Sequence, residues 1–510
     1  MNTLYYGDNL EILRKYIRDE SVDLIYLDPP FNSQRAYNVI FQDKSGKSPT
    51  AQIQAFEDTW YWTEETQAAF DEIMTGKYRS ELKEMMNAFR QFMGTTNLMA
   101  YLTMMAIRLV EMHRVLKMTG SLYLHCDPTA SHYLKILLDQ VFGLENFRNE
   151  IVWKRTTSSS SKAIAVRFGS DHDLVFFYSK SRRHQFNQQY VPFDEEYVKR
   201  RFTGVDERGR YKDAQLKTYS EGTMEQLKKE DRLIVTRGGK YRYKMYLDEV
   251  KGVPLDDVWT DVFPVNAVAK ERLGYPTQKP VALLERIIQA SSNDGDVVLD
   301  PFCGCGTAIA AAEKLGRKWL GIDITHLAIS LIKKRIKDHF PDAKFEVVGE
   351  PKSVEDAEEL FKQSAFQFES WAVSLVGGQP YKSTGGGDTG MDGFLYFKDF
   401  EGKFHRIVIE VKGGAYQPKD IRALARVLER EEAPLGLLIA LKSPTKGMLT
   451  EAAALGKWTM PVSGKKYRRL QVVTIQELFD GKKPELPDTS ETLKKAKRVL
   501  REQDKNHNLF

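Results

Sequence analysis

The stretch Val297-Val298-Leu299-Asp300-Pro301-Phe302-Cys303-Gly304-Cys305-Gly306-Thr307 decides how this chain folds. Its first residues have the character of a buried strand, and the run ends on an acid followed by a proline that forbids the strand to continue. Gly304 and Gly306 let the backbone approach a ligand closely. Residues 307–315, Thr-Ala-Ile-Ala-Ala-Ala-Glu-Lys-Leu, read as a helix whose N-terminus offers free N–H groups to the same place. A further strand ends at Asp323, where a carboxylate can hold ribose hydroxyls. Strand, glycine loop, helix, strand and acid point to a nucleotide-like ligand on an α/β sheet. The loop lacks the lysine of a phosphate-binding P-loop, which speaks against an ATPase.

N-terminal to this block, residues 3–6 and 22–27 are strand candidates, and the second ends abruptly at Asp28-Pro29-Pro30-Phe31. Two prolines can extend neither a central strand nor a helix, so Asp28 begins a rigid loop at a strand's carboxyl end, where open α/β sheets carry their chemistry. An aromatic amino group is a poor nucleophile because its lone pair is delocalised into the ring. A carboxylate and a backbone carbonyl that accept both its N–H bonds draw that pair out. The Pro29-Pro30 unit fixes the carbonyl's direction, and Phe31 can stack on an extruded base. Asp28 is then hydrogen-bond acceptor and proton sink. Taken alone, Asp-Pro-Pro also fits a simple loop cap.

These residues resemble the beta-class DNA amino-methyltransferases, adenine N6 or cytosine N4 enzymes whose catalytic motif precedes the cofactor motif. The likeness spans about residues 1–345. It rests on Leu27 to Asn32, on Tyr275-Pro276-Thr277-Gln278-Lys279-Pro280, and on Asp300 to Thr307. It implies a Rossmann-like S-adenosylmethionine-dependent methyltransferase fold in permuted order, with an inserted target recognition domain and double-stranded DNA as substrate. By the same likeness Phe302, Gly304 and Gly306 line the S-adenosylmethionine pocket with Asp300 and Thr307 beside them. Asp323 binds ribose, Asp8 sits near the adenine, and Thr277, Gln278 and Lys279 flank the methionine end. Cys303 and Cys305 carry no role in it. Asp at the head of the catalytic motif favours adenine N6 over cytosine N4, whose enzymes usually resemble Ser-Pro-Pro. Related Pro-Pro motifs also occur in methyltransferases of RNA and of protein amides. Relatives are often homodimers.

Length and composition set the frame for this. A chain of 510 residues with 42% hydrophobic and 28% charged residues is folded and multidomain. Three cysteines, an odd number, fit a reducing cytoplasmic compartment, and no apolar stretch is long enough for a membrane span. Residues 151–265 hold 22 Lys and Arg against 17 Asp and Glu, so the whole net charge of +5 falls there. Aromatics are interleaved with the basic residues, at Trp153-Lys154-Arg155, at Arg200-Arg201-Phe202 and at Tyr241 to Lys244, as a surface gripping phosphates requires. The expected domains are a catalytic half (1–180, insertion 34–95), a target recognition segment (181–264), a cofactor half (265–348), a linker (349–364), a third block (365–480) and a basic tail (481–510).

The third block contains Gly390-Met391-Asp392-Gly393 and, on the strand candidate 406–412, Arg-Ile-Val-Ile-Glu-Val-Lys. Glu410 and Lys412 share a strand face, and a neighbouring strand can bring Asp392 alongside. Asp392 and Glu410 could hold Mg²⁺ while Lys412 helps orient a water for phosphodiester attack. Together these residues resemble the Mrr-like branch of the PD-(D/E)xK nucleases. That likeness implies a restriction-endonuclease-like α/β domain with Asp392, Glu410 and Lys412 as the catalytic three and Glu369 as a further ligand. Degenerate members of this group serve only as DNA-binding modules. The resulting expectation is a restriction-modification fusion.

Overall fold

A computed structural model describes residues 1–30, 36–40, 52–57, 60–155, 171–216, 220–266, 269, 271–273, 277–381, 390–399 and 403–488. Residues 1–185 and 258 onward form one unit, and residues 186–257 form a second.

The first unit is organised on a sheet of nine strands. Their spatial order is Val258–Trp259, Phe147–Lys154, His172–Ser179, Leu116–Cys126, Val22–Leu27, Val297–Asp300, Lys318–Asp323, Asn2–Tyr6 and Phe345–Val348. All neighbours run parallel except at His172–Ser179, which is antiparallel to both strands beside it. The strand Val22–Leu27 is buried along almost its whole length, as expected of a strand covered on both faces. The N-terminal strand Asn2–Tyr6 slots between Lys318–Asp323 and Phe345–Val348, pairing Tyr6 with Asp323. Two segments more than 300 residues apart thus meet at one carboxyl edge, the physical content of the permuted order. Leu299 pairs with Ile25, which sets Asp300 and Asp28 at the same edge, at the switch point where such sheets bind ligands.

The helix Asn97–Val115, capped by Thr96, passes directly into the strand Leu116–Cys126. The insertion contributes a paired hairpin, Ala36–Ile40 with Gln52–Glu57, and the helices Glu64–Thr75 and Ser80–Met93. The expected linker 349–364 differs from the reading. Ser353 and Asp356 form a capping box, and the helix Val354–Gln363 buries Ala357 and Leu360 in the C-terminal core. Its acidic face masked an amphipathic helix.

The C-terminal block has a five-stranded sheet ordered Gln379–Pro380, Gly393–Lys398, Phe404–Lys412, Leu435–Ala440 and Leu470–Thr474. The last two pairings are parallel and the others antiparallel. Leu486 packs on this core and Glu485 pairs its backbone with Gln471. The basic residues 494–501 lie outside the described residues. Among the described residues no helix is long and apolar enough to cross a membrane.

The second unit holds a four-stranded antiparallel sheet built from Gly204–Asp206, Gly209–Gln215, Leu233–Val235 and Tyr241–Tyr246. Much of its charge is spent internally. Lys244 pairs with Asp206 and Asp231, and Arg208 and Arg232 both pair with Glu249. The phosphate-gripping set expected from sequence is therefore smaller. Phe202 is fully buried, as is Trp153 in the first unit, where its indole N–H donates to the Val262 carbonyl. Arg200 and Arg201 remain exposed.

Candidate active site

Asp28 follows the catalytic strand with Pro29 and Pro30 behind it, and its two carboxylate oxygens have different fates. Oδ2 accepts a hydrogen bond from the Lys279 ammonium at 2.5 Å, in a pair where both side chains are largely shielded from water. Oδ1 is buried and has no partner among the described residues. A carboxylate oxygen in that state is costly unless something arrives to use it. The Asp28 residue lines a cavity of about 360 Å³. Pro29 and Pro30 line this cavity beside Asp28, and Phe302, Cys303, Gly304 and Cys305 line it from the glycine loop. The catalytic and cofactor motifs, about 270 residues apart in sequence, therefore share one pocket.

Asp300 is almost fully buried below the loop and accepts the Phe302 N–H at 3.1 Å. Burial drives its carboxyl well above the usual range, and Asp28 and Asp323 push it further. Asp323 keeps both oxygens engaged, Oδ2 by the Gly304 N–H and Oδ1 by the Thr325 N–H and hydroxyl. Burial raises it to about 6 against the pull of those bonds. The acid expected to hold ribose thus also fixes the glycine loop, with lone pairs left for a ligand. Gly306 does not line the cavity. Its φ of +72° is left-handed, and a Cβ there would stand 2.6 Å from Ile332 Cγ1, so glycine is required for the helix Thr307–Lys314 to pack on the helix His326–His339. Gly306→Ala should destabilise the chain by about 1–2 kcal/mol, read as a lowered Tm, with weakened ligand binding following from the displaced loop.

Asp8 lines the cavity and caps the helix Asn9–Tyr16, its Oδ1 accepting from Leu10 N. Its Oδ2 accepts from the buried Arg108 at 2.6 Å. Arg108 also donates to Asn9 Oδ1, and Asn9 donates to the Pro301 carbonyl at 2.8 Å. This chain of bonds ties the N-terminal strand to the glycine loop. Sequence reading missed Arg108, Asn9, Tyr26 and Trp60, all of which line the cavity. An arginine inside the apolar helical run 101–110 was the available signal for the first.

Thr277, Gln278 and Lys279 line the cavity. Gln278 spends its amide on its own loop, accepting from Leu273 N and donating to the Glu271 carbonyl, so it shapes the pocket wall. Thr307 lines the cavity, and its hydroxyl accepts from Arg335. Phe31, Tyr275 and Pro276 lie outside the described residues.

In the C-terminal block Asp392, Glu410 and Lys412 converge. Glu410 Oε1 accepts from Lys412 at 2.7 Å, and Asp392 Oδ2 accepts the Val411 N–H at 2.6 Å. Glu410 Oε2 is buried without a partner among the described residues. Burial raises the Glu410 carboxyl to about 7, with Asp392 and Asp420 adding to the rise and Lys412 opposing it. Asp420, from the start of the helix Pro418–Arg430, was not anticipated. Glu369 is half-buried on the helix Ala365–Leu375 and is not among the charges acting most on Glu410. Among the described residues no three His, Cys, Asp or Glu side chains group as a metal site.

The DNA methylase family (N6_N4) matches residues 22–334, more than half of the chain, a range that includes Asp28, Lys279 and the glycine loop. The chain belongs to this family of DNA methylases. Among curated relatives, the type II methyltransferase M.EcaI of Enterobacter cloacae is 26% identical over 359 residues, 66% of this chain and 69% of that protein. The type II methyltransferase M.BamHI of Bacillus amyloliquefaciens is 29% identical over 346 residues, 68% of this chain but 59% of its own length. Among solved structures, TTHA0409 of Thermus thermophilus, in complex with S-adenosyl-L-methionine, is 16% identical with a TM-score of 0.35, covering 69% of this chain and 99% of that one. Residues 364–480 match a different family from the Mrr-like branch expected, namely NACHT-associated inactive Restriction Endonuclease 1.

Proposed function

We propose that this DNA methylase transfers a methyl group from S-adenosylmethionine to the N6 amino group of adenine in double-stranded DNA. The observation that carries the reading is the Asp28 carboxylate, one oxygen held by Lys279 and the other buried and unpartnered among the described residues, on a residue that lines the same cavity as Gly304. The cavity fits the cofactor. Its volume lies at the lower end for sites that take small molecules and cofactors, and a helix N-terminus, a glycine loop and the carboxylates of Asp8, Asp28, Asp300 and Asp323 surround it. Asp8, Phe302, Gly304, Asp323, Thr277 and Lys279 would hold S-adenosylmethionine, which when bound supplies a methyl group on a sulfonium.

The chain's own residues do the rest. Asp28 Oδ1 accepts one amino N–H of the extruded base and takes the proton that the nitrogen loses. The Pro29 carbonyl accepts the other N–H, and the fixed loop aligns the nitrogen with the methyl group. Adenine is favoured by the acid at the head of the motif. The unit 186–257, with Arg200 and Arg201 exposed, serves target recognition. Incubating the protein with unmethylated DNA and labelled cofactor, then digesting to nucleosides, should yield N6-methyladenine. Label in N4-methylcytosine would overturn the base assignment, and label only in RNA or protein would overturn the substrate.

A second activity is favoured by the convergence of Asp392, Glu410 and Lys412 with an unused buried oxygen. Two carboxylates fit Mg²⁺, which takes one or two from a protein and keeps waters and phosphates as its other ligands. Asp392 and Glu410 would hold it, and when bound it would supply a Lewis acid at a phosphodiester. The chain then both methylates a site and cuts DNA that lacks the mark.

A further inference from the structure

The edge of the large sheet opposite the catalytic one carries arginines that no acid neutralises. Leu116–Cys126 runs parallel to Val22–Leu27, so Cys126 stands at the edge of Asp28 and Leu116 at the other. Its 11 residues, at roughly 3.3 Å each, set the two edges about 30 Å apart. His172–Ser179 runs the opposite way and ends at the far edge, where Ser179 pairs with Ser121 and Tyr178 with Phe147. Arg148, Arg182 and Arg183 therefore gather there, and all three belong to the unit that holds the sheet.

The turn that carries Arg182 and Arg183 is tied down at several points. Lys180 N and Gln185 N donate to the Gly120 and Thr119 carbonyls at 3.0 and 2.9 Å, and Ser181 Oγ donates to the Met118 carbonyl at 2.7 Å. Arg148 is locked to the same turn by neutral acceptors. Its Nε donates to Ser179 Oγ at 2.8 Å, Nη1 to the Glu145 carbonyl at 3.2 Å, and Nη2 to the Ser181 carbonyl at 3.1 Å and to Asn146 Oδ1 at 3.5 Å. The neighbouring Lys117 and Lys180 each face an acid, Asp23 and Glu20. Arg148, Arg182 and Arg183 form no ion pair among the described residues, and Glu145 lays its carboxyl over Gly143 instead. Partial burial and the like charge of Arg182 together hold the Arg148 guanidinium below its ordinary value. Like charges fixed side by side oppose folding, and an anion that lies between them removes that cost.

The class of anion follows from shape and from what this family of proteins handles. A guanidinium fork matches phosphate oxygens two at a time, and three forks around one turn suit a chain of phosphates. A duplex seated at the catalytic edge with a base extruded does not reach the opposite edge without a sharp and costly bend. We propose that Arg148, Arg182 and Arg183 grip the phosphate backbone of a second DNA segment while the first is methylated at Asp28, so that one chain bridges two duplexes. The inference rests on DNA as the ligand and not on which base is modified.

The test binds the full chain to a duplex fixed on beads and offers a second, fluorescent duplex in solution, with the double variant Arg182→Ala/Arg183→Ala beside the wild type. Both side chains are exposed, so the variant should keep the fold. The wild type should capture the second duplex. The variant should lose about tenfold of that affinity, and its log affinity should fall less steeply with log salt, by about 0.9 for each phosphate contact removed. On a short duplex that covers only the catalytic edge, kcat and KM should stay within about twofold of the wild type. Arg182→Lys/Arg183→Lys, which keeps the charge without the fork, should restore most of the salt slope. Capture at wild-type strength in the Ala variant overturns the inference, whether the two catalytic edges of a dimer or another surface does the bridging. A wild type that methylates the short duplex and captures no second one also overturns it, and leaves the methylation reading standing. If the Ala substitutions abolish retention on polyglutamate beads and leave duplex capture unchanged, the surface serves an acidic protein and the inference fails. A wild type that binds no DNA overturns the reading of the substrate together with this one.

Discussion

Asp28→Ala should abolish DNA methylation, lowering kcat by about 10³-fold, while S-adenosylmethionine binds within about threefold of its wild-type affinity. The separation follows from where the groups sit. Asp8, Gly304 and Asp323 belong to the N-terminal strand's edge and the cofactor loop, whose bonds to Arg108, Asn9 and Thr325 do not pass through Asp28. Asp28 is bonded only to Lys279 among these groups, and its second oxygen has no partner among the described residues. Removing it takes away the acceptor that draws out the amino lone pair and receives the proton. Asp28→Asn is the sharper variant, because an amide keeps the volume and one acceptor but cannot take the proton at the pH of the assay. Equilibrium titration with the cofactor and single-turnover methylation, run on the same preparations, check both halves. A collapse of cofactor affinity in either variant would mean that Asp28 belongs to the cofactor site.

How much of this could be read from the chain varies with the kind of signal. The strand ends at Asp28 and Asp300 were legible because a proline after an acid leaves the backbone no regular continuation, and both carboxylates stand at one edge of one sheet. The glycine loop was legible for the same reason, although Gly306 proves to serve helix packing against Ile332. What stayed hidden are interactions that periodicity does not encode. Arg108 stands out as a charge in the apolar run 101–110, but its partners Asp8 and Asn9 are brought to it only by the fold. Gln278 sits in a motif that suggests contact with the cofactor, yet its amide is used up within seven residues of itself. Trp153 and Phe202 were read as stacking surfaces because they follow or precede basic residues, but sequence adjacency does not fix the side of the strand or helix, and both point into cores. The helix Val354–Gln363 reads as a connection in the sequence because its polar residues outnumber its apolar ones.

Cleavage of unmethylated DNA in Mg²⁺ should be lost in Glu410→Ala and Lys412→Ala with methylation untouched, and in the wild type it should rise as pH passes through about 7. The argument is one of charge. The Glu410 carboxyl is held near 7 by burial and by Asp392 and Asp420, so below that pH it is a neutral acid and a poor ligand for a cation. Lys412 is the group that opposes the rise, at 2.7 Å. Replacing it with methionine should therefore move the pH threshold upward in a stability or binding titration, even where cleavage is gone. The linkage has a definite sign. A carboxyl whose folded pKa stands above its usual 4.5 contributes stability that is fully present below that pH and is lost as pH rises through about 7. The C-terminal block should thus melt at a lower temperature at pH 8 than at pH 5, and Glu410→Gln should flatten that slope. Mg²⁺ added at pH 8 should reverse the loss in the wild type and do nothing for the Gln variant, since only the ionised Glu410 gains from a cation. A wild type that cuts no DNA at any pH, with a pH-dependent melt that Mg²⁺ leaves unchanged, would overturn the nuclease reading of this block.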